Sequence, residues 1–173
     1  MDNGKGFFQV FDTPLGPMLV AEQGGELVRV DFVEGVNSLI PGTLTEGFKE
    51  SGTSLLRRTK IQMEDYFDGL RTRFDLPYKL NGTSFQLRTW NALRKIPYGE
   101  TWSYQKQASQ MGNATAARAV GQANGRNPLT ILIPCHRVVG KNGTLTGYGG
   151  GIDRKQGLLN LESRFSREQT RWS

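Results

Sequence analysis

The 173-residue sequence holds one cysteine and one histidine. A single cysteine excludes any internal disulfide framework and any cysteine-rich zinc site, and a single histidine excludes paired-histidine metal motifs. No apolar run approaches the roughly 20 residues that span a bilayer, and the polar start Met1–Gly6 has no signal-peptide character. The expectation is a cytoplasmic protein with no membrane partner, no metal and no cofactor. Acidic residues are also scarce, in one half only. Residues 81–173 carry 13 Lys and Arg against 4 Asp and Glu, a net of +9, whereas residues 1–80 carry 9 against 12, a net of −3. Such asymmetry suggests that the second half meets a polyanion, most economically nucleic acid.

What is present is an ordinary globular composition, 36% hydrophobic and 22% charged, long enough for one generous domain or two small ones. Composition, charge and periodicity all change near Pro77–Gly82, which divides the chain into residues 1–79 and 80–173. The first part reads as a small α/β domain with a short antiparallel sheet. Phe7–Phe11 and Met18–Ala21 are extended around the turn Pro14–Leu15–Gly16–Pro17, and Leu27–Val33 follows the Gly24–Gly25 turn. Gly35–Ser54 reads as a loop. Leu55, Leu56, Met63, Tyr66, Phe67 and Leu70 recur at helical spacing, with Gly69 at the helix end. Arg73–Leu76 is read as a short returning strand.

The second part is mostly helical. Thr83 and Gln86 form a capping-box pattern that opens a helix through about Ile96. Ser103 can cap a helix over Tyr104–Met111, Gly112–Asn113 turns, and Ala114–Ala123 is a second helix, together a helix-turn-helix. Leu129–Ile133 reads as a buried extended segment, and a last helix covers about Ile152–Phe165.

The only Cys and the only His are neighbours, in Ile133–Pro134–Cys135–His136–Arg137–Val138. A thiol near its ordinary pKa is only a few per cent thiolate at neutral pH, so nucleophilic chemistry needs an adjacent base, and His136 can supply it. A carboxylate would orient the ring. Glu100, Asp153, Glu162 and Glu168 are the candidates, and spacing does not choose among them.

These residues resemble the active-site signature of the O6-alkylguanine-DNA alkyltransferases, the methylated-DNA–protein-cysteine methyltransferases. The resemblance continues through Phe85–Trp90, Ile96–Thr101, Ser103–Tyr104, Ala116–Gly121, Asn124–Gly125, Asn127–Pro128, Leu145–Gly151, Arg154–Lys155, Leu158–Leu159 and Glu162, in order over about residues 83–162. It implies a two-domain fold and a single-turnover repair enzyme that moves the alkyl group of O6-alkylguanine, with O4-alkylthymine a second candidate, onto Cys135. His136 would act as base through water and Glu162 would orient it. Tyr104 would donate to guanine N3 and crowd the 3′ phosphate, and Arg118 would fill the space left by the flipped nucleotide. Asn127 would tie the recognition helix to the cysteine segment, while Ser103, Ala116 and Ala117 would contact DNA. The Cys135 carbonyl and Val138 N–H would read the guanine edge, with Tyr148 and Gly149 lining the pocket. The implied partner is double-stranded DNA carrying alkylated guanine, met by a monomer that can cluster on it.

Physical chemistry supports parts of this independently. An alkyl group on O6 lies inside the stacked duplex, so a protein nucleophile needs the nucleotide rotated out. Small residues on the recognition helix suit close approach without sequence readout. A thioether is not reversed by thiol exchange, and no second cysteine accepts the group. The rival readings are a non-catalytic lesion binder, a helix-turn-helix transcription regulator and a cysteine hydrolase. Trp90 and Trp102 read as packing residues, and the Arg164, Arg167 and Arg171 tail either assists DNA binding or lacks order. Gln107 stands where the family resembled has an apolar residue, which questions the packing of its helix.

Overall fold

The computed structural model describes residues 4–33 and 46–171. The chain divides into two compact units, Met1–Leu80 with Pro128–Leu132, and Asn81–Asn127 with Ile133–Ser173. Pro128–Leu132 joins the first unit through its backbone. The Val30 N–H donates to the Pro128 carbonyl at 2.9 Å, and the Thr130 N–H donates to the Val30 carbonyl at 2.8 Å.

The first unit is built on a four-stranded sheet of β1 (Gly6–Phe11), β2 (Met18–Gln23), β3 (Glu26–Phe32) and β4 (Phe48–Glu50), in the order β3-β2-β1-β4. β1, β2 and β3 pair antiparallel, while β4 lies parallel to β1, so the sheet is mixed. The β2–β3 connection needs positive φ at both turn residues, and Gly24 (+62°) and Gly25 (+82°) supply it without a Cβ penalty. Leu19, Val20 and Ala21 of β2 are buried, and helix α1 (Ser54–Phe67) packs on β1 and β2. Thr53 caps α1 by accepting from the Leu56 N–H, and Gly69 (φ +75°) follows its end.

Two expectations for this unit need correction. β4 falls in the stretch read as a loop, whose residues 35–45 lie outside the described residues. Phe48 packs against the Leu19, Ala21 and Val33 cluster, which is what draws so short a segment onto the sheet edge. Arg73–Leu76 forms no strand. The Gln62 side chain takes the place of a strand partner, accepting from the Asp75 N–H at 3.0 Å and donating to the Asp75 carbonyl at 3.2 Å. Backbone pairing comes only later, where Leu27 and Tyr78 bridge in parallel.

The second unit holds helices α2 (Ser84–Leu93), α3 (Tyr104–Gln110), α4 (Ala117–Asn124) and α5 (Ile152–Arg171), with a two-stranded pair β5 (Trp102–Ser103) and β6 (Val138–Val139). The Thr83–Gln86 capping box forms as read, and Ser103 caps α3 by accepting from the Lys106 N–H. The second helix of the pair begins late. Ala114–Ala116 is a 3₁₀ turn, because no side chain caps this start. The last helix runs on to Arg171, so Arg164, Arg167 and Arg171 sit on a regular helix and the disordered alternative is excluded.

Gln107 is fully buried and fully partnered. It exchanges two amide hydrogen bonds with Asn124, at 3.0 and 2.8 Å, and donates to the Thr89 carbonyl at 3.2 Å. The polar side chain therefore joins α2, α3 and α4 at one point. Trp90 adds a second tie, donating to the Ala123 carbonyl at 2.9 Å.

Candidate active site

Cys135 opens a 3₁₀ turn, Cys135–Arg137, directly after Pro134, and is 8% exposed. The approach is not the continuous extended segment expected. Ile131 is in the left-handed region (φ +74°), where a β-branched residue is strained, and it turns the chain between Thr130 and Ile133. Asn127, from before that turn, fixes the position of the sulfur. Its Nδ2 donates to the Ile133 carbonyl at 2.7 Å and to Cys135 Sγ at 3.3 Å.

His136 is fully buried, and its Nε2 lies 2.7 Å from Glu162 Oε1. A carboxylate only accepts, so Nε2 carries the proton of this bond, and a neutral ring presents a lone pair at Nδ1. Nδ1 is buried and has no protein hydrogen-bond partner among the described residues. A basic nitrogen on the residue beside the thiol is thus held in one tautomer by Glu162.

Glu162 is 1% exposed and carries more than the histidine. Arg137 donates to it twice, through Nε to Oε2 at 2.8 Å and through Nη2 to Oε1 at 3.0 Å, and the Gly99 N–H donates to Oε2 at 3.3 Å. Burial alone would push the Glu162 carboxyl up. The His136 ring and the Arg137 guanidinium more than reverse this and hold it well below the usual carboxylate range. Arg137 also donates to the Ile96 carbonyl at 2.7 Å and lies over the Tyr98 ring. Burial, with the charge of Glu162 adding and Arg137 opposing, pushes the Tyr98 hydroxyl up to about 12, so it stays neutral.

A second cluster forms around Tyr104. Its hydroxyl donates to the Thr146 carbonyl at 2.9 Å, which ties α3 to the glycine-rich stretch Leu145–Gly151. Lys155, fully buried on α5, donates to the same carbonyl at 3.0 Å.

The structure thus places Asn127 on Cys135 and Glu162 on the adjacent His136, with Tyr104 in its own cluster. The DNA-side candidates fall elsewhere. Arg118 is exposed on the first turn of α4, next to the partly buried Ala116 and Ala117. The Ser103 hydroxyl is committed as an acceptor to its cap. Val138 is buried, and its N–H donates to the Cys135 carbonyl, so the two backbone groups expected to read a guanine edge are bonded to each other. Tyr148 is partly buried and Gly149 exposed. Trp90 and Trp102 are buried, as packing residues are. Arg137 and Lys155 are buried beside Glu162 and Tyr104, and sequence reasoning gave neither a role. Among the described residues no group of three or more His, Cys, Asp or Glu is placed to hold a metal ion. No helix among them is long and apolar enough to cross a membrane.

Residues 84–164 match the family model described as 6-O-methylguanine DNA methyltransferase, DNA binding domain, and residues 7–80 match its ribonuclease-like domain. A methylated-DNA–protein-cysteine methyltransferase of Methanosarcina acetivorans is 43% identical over 157 residues, 90% of this chain and 97% of that protein. The constitutive enzyme of that name from Bacillus subtilis is 41% identical, over 90% of this chain and 94% of its own length. Among solved structures, the O6-methylguanine methyltransferase of Mycobacterium tuberculosis superposes with a TM-score of 0.83 at 43% identity, covering 92% of this chain and 93% of that one. The same protein in complex with DNA gives 0.81 at 43% identity, covering 92% and 94%.

Proposed function

Because this chain belongs to the methylated-DNA–protein-cysteine methyltransferase family, we propose that Cys135 is the residue on which its reaction ends. The chain is a direct DNA-repair enzyme that transfers an alkyl group from DNA to a cysteine of its own. Cys135 is the sole cysteine, so it alone offers an acceptor. The observation that carries the residue-level reading is the hydrogen-bonded row Asn127–Cys135 and His136–Glu162. A thiol touched by an N–H donor sits next to a histidine whose free nitrogen is basic.

The reaction runs as a displacement at carbon. His136 takes the thiol proton through a water molecule, and the sulfur attacks the alkyl carbon of O6-alkylguanine. The S–C bond forms as the C–O6 bond breaks, and the electron pair passes into the guanine ring. Tyr104 turns its hydroxyl to guanine N3 and meets that charge. Glu162 holds the ring of His136, and Asn127 holds the sulfur. The thioether that results is permanent, so each molecule turns over once.

The lesion is reached by extrusion of its nucleotide. Arg118 enters the vacated stack, and Ser103, Ala116 and Ala117 approach the groove. Val138, Tyr148 and Gly149 line the pocket for the flipped base. Residues 80–173 carry the DNA-binding and chemical machinery, residues 1–79 are a scaffold, and the protein acts as a monomer in the cytoplasm.

The test is to mix the protein with a duplex containing O6-methylguanine and weigh the intact chain. One methyl group is expected, on Cys135, saturating at one equivalent. A Cys135→Ser protein that still cleared methyl groups from the duplex would refute the assignment.

A further inference from the structure

Lys155 has no part in the chemistry above, yet it is completely buried. Removing an ammonium from water is costly unless its donors are satisfied. Among the described residues no carboxylate pairs with it. Its contacts are the Thr146 carbonyl at 3.0 Å, the Tyr104 hydroxyl at 3.5 Å and the Tyr104 ring, 5.8 Å from the centroid. Tyr104 donates its own hydrogen to that same carbonyl at 2.9 Å. Two donors thus converge on one backbone oxygen of the glycine-rich stretch: an ammonium and a phenol.

A phenol has one hydrogen to give. If Tyr104 is to donate it to a substrate, it must release Thr146. An oxygen left without a donor loses a hydrogen bond, and the stretch 145–151 loses its tie to α3. Lys155 already holds the Thr146 carbonyl and reaches the oxygen of Tyr104, so the exchange leaves neither without a partner. Its positive charge also lies beside the hydroxyl that is polarised when negative charge gathers on the departing base.

We propose, resting on the roles given above to Cys135 and Tyr104, that Lys155 is a positioning residue for alkyl transfer. It keeps Thr146 bonded while Tyr104 turns to the base, and it supports the polarised phenol. Burial disfavours the charge on Lys155, and negative charge at Cys135 favours it. The ammonium is therefore best supported while the thiolate awaits its substrate.

The experiment is a double-mutant comparison on the full chain. Single-turnover rate constants are measured on a duplex containing O6-methylguanine for Lys155→Met, Tyr104→Phe and the two combined. Lys155→Met keeps the length of the side chain without its charge or donors, and thermal melting by circular dichroism checks that it folds. With Tyr104 present, the loss is expected to be about 10- to 100-fold, the scale set by a misplaced catalytic group. In the Tyr104→Phe background the further loss should be less than about 3-fold, because the residue acts through Tyr104. If Lys155→Met does not fold, Lys155→Gln carries the same comparison, since it can still donate to Thr146 without the charge. An equal loss in both backgrounds, or no loss in either, overturns the proposal. The mass of the wild-type protein after reaction tests the Cys135 assignment separately, so the two ideas fail by different readouts.

Discussion

Arg137→Met strips the guanidinium from Glu162 while leaving much of the buried bulk in place. Glu162, 1% exposed, would lose donors at 2.8 and 3.0 Å while His136 and the Gly99 N–H stay in place. Breaking a buried ion pair from one side typically costs about 3–5 kcal/mol, because the remaining charge is stranded away from water. For a chain of this size each kcal/mol lowers Tm by about 2–4 °C, so the melting point should fall by about 6–20 °C. The pH dependence carries a sign. A carboxyl group whose folded pKa is depressed stabilises the fold above its unfolded value, and that contribution is lost as pH falls through the folded value. Arg137 is one of the causes of the depression, against burial, which opposes it. Its removal raises the folded value, so the acid edge of the stability profile should move to higher pH. Melting curves collected from neutral to acid pH give both numbers. Combining Arg137→Met with Glu162→Gln should recover part of the loss, since no charge is then stranded. A single variant that melts within about 2 °C of wild type, with the same acid edge, would refute the view that Arg137 sustains the Glu162 charge.

Arg118→Ala should slow repair in duplex DNA while sparing reaction with free O6-benzylguanine, because its proposed place is in the base stack. Single-turnover rates on the two substrates check this, and equal losses on both would remove the role. Gln107→Leu leaves the Asn124 amide buried without its partner and should cost about 1–3 kcal/mol in urea unfolding. Gln107→Leu with Asn124→Met should restore most of that, since replacing both partners by apolar groups of similar shape is nearly neutral.

The elements that could be read from sequence are those whose cause is local. The Gly24–Gly25 turn, the Thr83 capping box and the Ser103 cap are each set by residues within four positions of one another. The features that went unread depend on distant partners. β4 exists because β1, some forty residues earlier, offers an edge to Phe48–Glu50. Asp75 stays out of a strand because Gln62, thirteen residues before it, satisfies its backbone. Ile131 bends against its own preference because Thr130 is fixed to β3 on one side and the Ile133 carbonyl to Asn127 on the other. None of these partners leaves a periodic or compositional mark nearby.

The candidate site shows the same division, with a consequence for the charge argument. Cys135 and His136 announced themselves as the only residues of their kind, placed side by side. Arg137 and Lys155 carried no such mark, because a basic residue in a basic half is by default read as solvated surface. Both are buried, and so is Glu162, which together take a net of one positive charge out of the surface count. The second half therefore presents +8 rather than +9 to its surroundings. A polyanion partner meets nearly the same charge after that subtraction, because exposed groups such as Arg118, Arg126 and Lys106 present it. The two buried cations instead do work that net charge never reports: one sustains a carboxylate, and the other shares a carbonyl with a tyrosine.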